Sequence, residues 1–257
     1  MPDEFWHVLD AGLRAAAIDL SAPARAAIDA HVRLLLAWNA AINLTALHTP
    51  EQIARGHVLD SLIAAPVVRP FGTASVLDLG SGAGFPGLPL ALALPVERLG
   101  LVDSIGKKAR FLGVASRVVG ETLIEASQDA PEMTAFGERA EDLANEPDRR
   151  ASWQMVVARA VGTMAEVAEL GLPLTALGGH VVAWKHDAGD GALQSEIAAA
   201  VRICRAAGGS APWAVRLPAA EQVGIGGHCL VVIEKRRQTP DRFPRPATER
   251  RRSPLLS

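Results

Sequence analysis

The sequence is poor in aromatic residues and in cysteine. Phenylalanine and tryptophan together make up 4% of the 257 residues, and tyrosine is absent. So few aromatic rings argue against a module that binds RNA mainly by stacking bases. The two cysteines, Cys204 and Cys229, are far apart and lack the spacing of metal ligands. We therefore expect reduced thiols and no bound metal.

Long apolar runs are missing as well. No window approaches the length of a membrane span, and the acidic start of the sequence, MPDEFWHVLD, does not resemble a secretion signal. Hydrophobic residues nevertheless make up 49% of the chain, which is enough to bury a full core. We therefore expect a globular cytoplasmic protein with no membrane partner, and we expect it to be a monomer.

The formal net charge of −2 conceals a basic C-terminal segment. Residues 235–257 contain eight lysines or arginines against two acidic residues, so this segment alone carries a charge of +6. It also contains four prolines. We predict an extended, poorly packed tail that can lie along a phosphate backbone, with a merely solvated terminus as the alternative.

The first seventy residues have helical patterns, and the rest of the chain alternates between strands and helices. Apolar residues recur at helical spacing over 4–18 and again after Ser21, and Thr49 to Gln52 form a capping box that begins a third helix. The alternation from Ser75 onward predicts a parallel sheet with helices on both faces. The predicted strands cover 75–79, 98–104, 134–139, 155–160, 180–184 and 229–235, and the predicted helices between them cover about 86–94, 106–119 and 193–206.

A glycine loop follows the first predicted strand, in the sequence SVLDLGSGAGFPG over 75–87. Glycine tolerates positive φ and has no Cβ, so the backbone N–H groups of the loop can approach a ligand closely. Read from Gly82, the loop matches GxGxxG with Asp103 about twenty residues later, which is the pattern of a dinucleotide site. Read from Asp78, it matches DxGxGxG, the nucleoside-binding loop of S-adenosylmethionine (SAM) methyltransferases. Both interpretations let the Asp103 carboxylate accept hydrogen bonds from ribose hydroxyls.

The Asp78 carboxylate favours SAM. SAM carries a positive sulfonium and an amino group that a nearby acid attracts, whereas a pyrophosphate would be repelled. An oxidoreductase that uses NAD(P) remains the alternative. Since ligands of such sheets bind beyond the carboxyl ends of the strands, we expect one cleft lined by Asp78, Asp103, residues 139–142 and Arg159.

Segments along nearly the whole chain resemble one known family. They include NAAINLTAL (39–47), HVLDSL (57–62), VLDLGSGAGFPGLPLAL (76–92), LVDSIGKKARFL (101–112), ERAEDL (138–143) and ARAVG (158–162). This order of motifs is similar to the RsmG/GidB family, the 16S ribosomal RNA methyltransferases that modify guanine at N7. The resemblance implies a Rossmann-like class I SAM-dependent methyltransferase fold, with a mostly parallel seven-stranded sheet and helices on both faces. We accordingly divide the chain into an N-terminal helical extension packed on the core (1–70), a methyltransferase domain (71–235) and a basic tail (236–257).

The resemblance also implies a set of site residues. It assigns SAM contacts to Gly80, Phe85, Ala140, Glu141 and Arg159, to which the loop pattern adds Gly82 and Asp103. Phe85 is expected to offer an apolar wall, and Arg159 to contact SAM or an RNA phosphate. The tail is expected to contact 16S ribosomal RNA through Lys235, Arg236, Arg237, Arg242 and Arg245. The sequence departs from the family pattern where Gly56 separates Arg55 from His57, which leaves the role of His57 open.

The absence of certain sequence motifs limits which kind of atom the protein is expected to methylate. No NPPY-like turn follows the fourth predicted strand, which disfavours methylation of an exocyclic amine, and neither cysteine is placed as a nucleophile for carbon methylation. Guanine N7 presents a lone pair and can attack a methyl group without first losing a proton. We therefore expect catalysis by positioning, with no residue acting as an obligatory acid or base. Methylation of another RNA or of a small molecule is the alternative within the same fold.

Overall fold

The computed structural model describes residues 1–252 and contains a seven-stranded sheet. The strands lie in the order β3-β2-β1-β4-β5-β7-β6. The first five run parallel, whereas β7 is antiparallel to both β5 and β6. The mostly parallel seven-stranded sheet predicted above is therefore confirmed. The strands are β1 (Ser75–Leu79), β2 (Arg98–Val102), β3 (Glu132–Phe136), β4 (Trp153–Arg159), β5 (Thr175–His186), β6 (Trp213–Arg216) and β7 (His228–Glu234).

The helices lie before, between and after the strands. Those before the sheet are α1 (Asp3–Ala15), α2 (Ala22–Ile42), α3 (Pro50–Ile53), a π-helical segment (Ala54–Leu59), α4 (Asp60–Leu62), α5 (Ala65–Val68) and a 3-10 turn (Arg69–Phe71). Those that follow are α6 (Gly87–Ala93), α7 (Gly106–Glu125), α8 (Ala140–Leu143), α9 (Met164–Gly171), α10 (Ala192–Ala206) and α11 (Ala247–Arg252). No helix in residues 1–252 is both long and apolar enough to cross a membrane.

Capping residues mark where two of the N-terminal helices begin. The Ser21 side chain accepts a hydrogen bond from the Ala24 N–H and caps α2, as its position before an apolar pattern predicts. Thr49 and Gln52 form the predicted capping box at the start of α3. The buried side chains of α1 and α2 share one hydrophobic cluster with one face of the sheet, and a second cluster fills the opposite face.

Several elements differ from the sequence-based expectations. The third strand lies at Glu132–Phe136 rather than 134–139, and β5 extends well beyond 180–184 at both ends. Helix α9 and strand β6 were not predicted. Strand β6 is an edge strand whose residues are largely exposed, so it lacks the alternating apolar pattern that marks a half-buried strand.

The C-terminal tail is packed, contrary to the prediction of an extended segment. Arg150, which also donates to the Ala144 carbonyl oxygen, anchors it by donating hydrogen bonds to the carbonyl oxygens of Thr239, Pro240 and Phe243. Phe243 is buried, and within the described residues the tail continues into helix α11. Residues 253–257, the last part of the predicted tail, lie outside the described residues.

Two basic side chains of the C-terminal segment are buried and bound to other parts of the fold. Lys235 is 1% exposed, and its Nζ donates to the carbonyl oxygens of Leu172 and Thr175 and to the Thr239 hydroxyl. Burial lowers the pKa of Lys235 to about 8. Arg245 is also buried and forms a two-bond pair with Glu169 at 2.7 and 2.8 Å. The expectation that Lys235 and Arg245 contact RNA is therefore wrong, because both cations are already bound to buried protein groups.

Replacing Lys235 tests this correction. We expect Lys235→Met to lower the free energy of unfolding by about 2 kcal/mol, because buried carbonyl oxygens lose their donor, and to leave RNA affinity unchanged. Urea unfolding and an RNA filter-binding assay measure the two quantities. Arg236→Met is the contrasting variant, since the Arg236 side chain is 64% exposed; it should keep the stability of wild type and weaken RNA binding. Equal stability of both variants, with RNA binding lost only in Lys235→Met, would restore the original prediction.

Candidate functional site

A cavity of about 250 Å³ lies at the carboxyl ends of β1 and β2. Apolar walls come from Leu79, Val102 and Leu170, and polar groups come from Asp103, Glu141 and Arg250. Gly80 and Ala140, two residues predicted from the sequence, also line it. It lies beside the point between β1 and β4 where the strand order reverses, which is where open α/β sheets bind their ligands.

The glycine loop after β1 adopts backbone conformations that favour glycine. Gly80, Gly82 and Gly84 have φ angles of +66°, +57° and +88°. A Cβ at Gly80 would lie 2.8 Å from Val161 Cγ2. A Cβ at Gly82 would instead meet only a backbone oxygen, at 3.9 Å, so it would project into open space. The loop therefore exposes its main chain where a ligand can approach it.

Asp103 connects the loop to the end of β2. One carboxylate oxygen accepts the Gly82 N–H at 3.1 Å, and the other accepts the Ile105 N–H at 2.9 Å. Asp103 is 7% exposed and borders the cavity. Each carboxylate oxygen has two lone pairs, so Asp103 can hold the loop and still accept hydrogen bonds from hydroxyl groups in the cavity.

Asp78 does not line the cavity, contrary to the expectation. It is fully buried beneath the loop, where one carboxylate oxygen accepts the Gly87 N–H at 2.9 Å. The other oxygen has no hydrogen-bond partner within residues 1–252. Burial raises the pKa of Asp78 to about 7. The expectation that Asp78 lines the cleft is therefore wrong, and its hydrogen bond to the Gly87 N–H fixes the start of α6.

The raised pKa of Asp78 predicts a pH-dependent stability. Its pKa rises from 3.8 to about 7 on folding, so between these values the folded chain binds more protons than the unfolded chain. Stability then falls as pH rises, by about 2–3 kcal/mol between pH 5 and pH 8. Asp78→Asn removes this loss, which urea unfolding at the two pH values measures. Asp129→Asn, at an exposed position, serves as the control. If the stabilities of wild type and Asp78→Asn changed equally between the two pH values, Asp78 would not be the group that titrates.

Arg159 joins the end of β4 to the π-helical segment. Its guanidinium donates to the Gly56 carbonyl oxygen at 3.1 Å, to Asp60 Oδ2 at 2.7 Å and to His57 Nδ1 at 2.9 Å. A guanidinium is only a donor, so His57 Nδ1 must accept. The Nε2 proton of His57 then points to the Thr45 hydroxyl at 2.7 Å. Burial, together with the Arg159 charge, lowers the pKa of His57 to about 3, so this imidazole is neutral.

Phe85 packs inside this region and does not line the cavity. Its ring stacks on His57 with centroids 4.6 Å apart and packs at a tilt of 33° against His31 with centroids 4.9 Å apart. It is 3% exposed. The expected apolar wall is thus not formed by the Phe85 side chain, which instead ties the glycine loop to the N-terminal helices.

Asp60 is the buried centre of a polar cluster with His57, Arg159 and His228, which we call the Asp60 cluster. Asp60 is 2% exposed and accepts from Arg159 on one carboxylate oxygen and from His228 Nδ1, at 2.7 Å, on the other. The hydrogen bond to Asp60 raises the pKa of His228. The Asp60 carbonyl oxygen also accepts from Trp184 Nε1 at 2.9 Å. The cluster fastens the N-terminal helices to strands β4, β5 and β7.

Sequence reasoning found parts of this cluster but not the cluster itself. His57 and Arg159 were noted, whereas the pairing of Asp60 with His228 spans 168 positions and leaves no local pattern. His57 lies within the π-helical segment and Asp60 follows it directly; such segments are frequent at functional sites.

Comparisons with known proteins agree on one family. Residues 24–206 match the family model GidB, described as rRNA small subunit methyltransferase G. A protein of Dehalococcoides mccartyi named ribosomal RNA small subunit methyltransferase G is 35% identical, over 95% of this chain and 97% of its own. The protein of that name from Staphylococcus carnosus is 32% identical over 88% of each chain.

Solved structures resemble the chain more distantly. A T. Thermophilus 16S rRNA N2 G1207 methyltransferase (RsmC), in complex with AdoMet and guanosine, is 18% identical with a TM-score of 0.42. The similarity covers 73% of this chain and 40% of that chain. At this distance the similarity carries no argument about activity.

Proposed function

Because this chain belongs to the GidB family of rRNA small subunit methyltransferases, we propose that it transfers a methyl group from SAM to N7 of a guanine in 16S ribosomal RNA. The observation that carries the proposal is the glycine loop bound to Asp103 at the rim of a cavity. Family membership favours SAM over NAD(P) as the ligand of this loop. The substrate is the small ribosomal subunit or its RNA, and the protein acts in the cytoplasm as a monomer.

The residues around the cavity fit SAM. The Asp103 carboxylate is placed to accept from the ribose hydroxyls, and the exposed main chain of Gly80 and Gly82 to lie against the amino-acid portion. Ala140 and Glu141 lie at the start of α8 and also line the cavity. When bound, SAM supplies an electrophilic methyl group on a positive sulfur.

The protein acts by positioning the methyl acceptor, and none of its residues transfers a proton. Two histidines lie beside the loop: His31 Nε2 is 2.8 Å from the Ala83 carbonyl oxygen, and the His57 ring stacks on Phe85. Burial lowers the pKa of His31 to about 4 and that of His57 to about 3, so both imidazoles are neutral, and both ring nitrogens of His57 are engaged. Guanine N7 needs no base, so holding the acceptor in line with the methyl group is sufficient. This account would fail if alanine at one polar residue of the site abolished turnover while SAM and RNA affinities stayed unchanged.

RNA contacts are proposed for the exposed part of the tail. Arg236, Arg237 and Arg242 are exposed, and their charges can neutralise backbone phosphates. Lys235 and Arg245 are excluded from this set by their burial. Replacing these arginines should weaken RNA binding by the same factor for all RNA sequences, and this effect should become smaller at high salt.

The proposal is tested by transfer of labelled methyl groups. Purified protein, SAM and small ribosomal subunits from cells that lack this modification should give incorporation of about one methyl group per 16S RNA molecule. Large subunits and transfer RNA serve as controls. Incorporation into a different RNA would support the alternative of another methyl acceptor, and binding of NAD(P) instead of SAM would support an oxidoreductase.

A further inference from the structure

The C-terminal tail returns to the cavity that the proposed function assigns to SAM. After leaving β7 it is fixed by Lys235, by three carbonyl contacts of Arg150 and by the buried pair of Arg245 with Glu169. These anchors carry helix α11 to the cavity, where Arg250 forms part of the lining. A basic side chain far from the glycine loop in sequence is thereby held at the loop's ligand site.

Arg250 forms an ion pair across the rim of the cavity. Its Nη2 lies 2.5 Å from Glu141 Oε1, and its Nη1 donates to the Arg245 carbonyl oxygen at 2.6 Å. The side chains of Arg250 and Glu141 are only 13% and 17% exposed, so the pair is shielded from much of the solvent. Burial acts to raise the pKa of Glu141, but the Arg250 hydrogen bond and charge hold it below its usual value.

The position of this pair gives it a consequence, because the two side chains meet at the rim of the cavity, which measures about 250 Å³. Both partners line it, and one of them, Glu141, belongs to the segment expected to hold SAM. Separating Arg250 from Glu141 would widen the cavity without disturbing the sheet.

We propose that helix α11 is a latch on the cofactor pocket, in which the Arg250–Glu141 pair opens to admit SAM and closes again over the bound molecule. The identity of the ligand rests on the proposed function. The latch accounts for the tail being anchored at three points before it reaches the pocket, because only a fixed tail can return Arg250 to Glu141. An arginine that serves RNA phosphate instead would have no need of a shielded carboxylate partner.

The experiment compares two arginines of the same helix. Arg250→Ala removes the pair, and Arg252→Ala is the matched control, since Arg252 is exposed. Rapid filtration with labelled SAM measures association and dissociation rates. The latch predicts dissociation about tenfold faster and association at least as fast in Arg250→Ala, rates unchanged in Arg252→Ala, and partial recovery in Arg250→Lys. Circular dichroism of each variant verifies the fold.

A second measurement needs no turnover. Hydrogen exchange of the 247–252 amides should slow when S-adenosylhomocysteine is added to the wild-type protein, and should slow much less in Arg250→Ala. Rates that are identical in Arg250→Ala and Arg252→Ala would overturn the latch, as would a loss confined to RNA affinity. A wild-type protein that binds no SAM would contradict the proposed function itself, whereas normal wild-type binding with an unchanged Arg250→Ala contradicts the latch alone.

Discussion

Asp103→Ala is expected to weaken SAM binding by about 100-fold. Hydrogen bonds to a charged group contribute about 1.5–3 kcal/mol each, and Asp103 is the carboxylate placed to accept from the ribose. The substitution also releases the Gly82 and Ile105 N–H groups that the carboxylate now holds. The loss therefore combines a direct contact with a looser loop. Isothermal titration calorimetry with SAM or S-adenosylhomocysteine measures the affinity.

Two further variants separate these effects. Asp103→Asn keeps one acceptor oxygen and the shape of the side chain, so its affinity should fall between that of wild type and that of Asp103→Ala. Asp129→Ala removes an exposed carboxylate and should leave affinity unchanged. If Asp103→Ala bound SAM within threefold of wild type, the carboxylate would not contact the cofactor and the placement of the ribose would be wrong.

Asp60→Ala is expected to lower the free energy of unfolding by about 3–5 kcal/mol. Removing one partner of a buried ion pair leaves the other charge uncompensated, and Asp60 neutralises Arg159 and holds His228 at once. The N-terminal helices would lose their polar connection to β4 and β7. Urea unfolding measures this change, with Asp10→Ala as the control, because the Asp10–Arg25 pair is about one-third exposed and should contribute less than about 1 kcal/mol.

A milder variant keeps this prediction testable if Asp60→Ala does not fold. Asp60→Asn preserves the side-chain shape but loses the charge, so it should destabilise less than Asp60→Ala and should free Arg159 to change its partners. We expect SAM affinity to change little in Asp60→Asn, because Asp60 does not line the cavity. A fully stable Asp60→Ala would show that the Asp60 cluster does not hold the N-terminal helices in place.

The predictable parts of the fold have signals within a short stretch of sequence. The apolar run before the glycines identified β1, the capping residues Ser21 and Thr49 identified two helix starts, and the spacing to Asp103 identified the second strand end. Each of these signals depends on residues a few positions apart, or on a motif whose geometry is set by the loop itself. Such features do not depend on how distant parts of the chain meet.

The incorrect predictions concern side chains whose partners are distant. The burial of Asp78 depends on how α6 packs over β1, and the Arg245–Glu169 pair spans 76 positions. A count of basic residues in the tail cannot distinguish Arg245, which is paired in the core, from Arg242, which is exposed. Charge in a sequence shows where cations are, whereas their availability to RNA depends on the tertiary structure.

Locating the transferred methyl group on the RNA is the most direct test of guanine-N7 methylation. Small ribosomal subunits methylated with labelled SAM would be treated with reagents that cleave RNA at N7-methylguanine, and the fragments mapped on the 16S RNA. The account predicts one cleavage site, at a guanine, that accounts for all the incorporated label. Label that resists cleavage would place the methyl group on another atom, and absence of label despite SAM binding would show that this RNA is not the acceptor; either result would contradict guanine-N7 methylation by this protein.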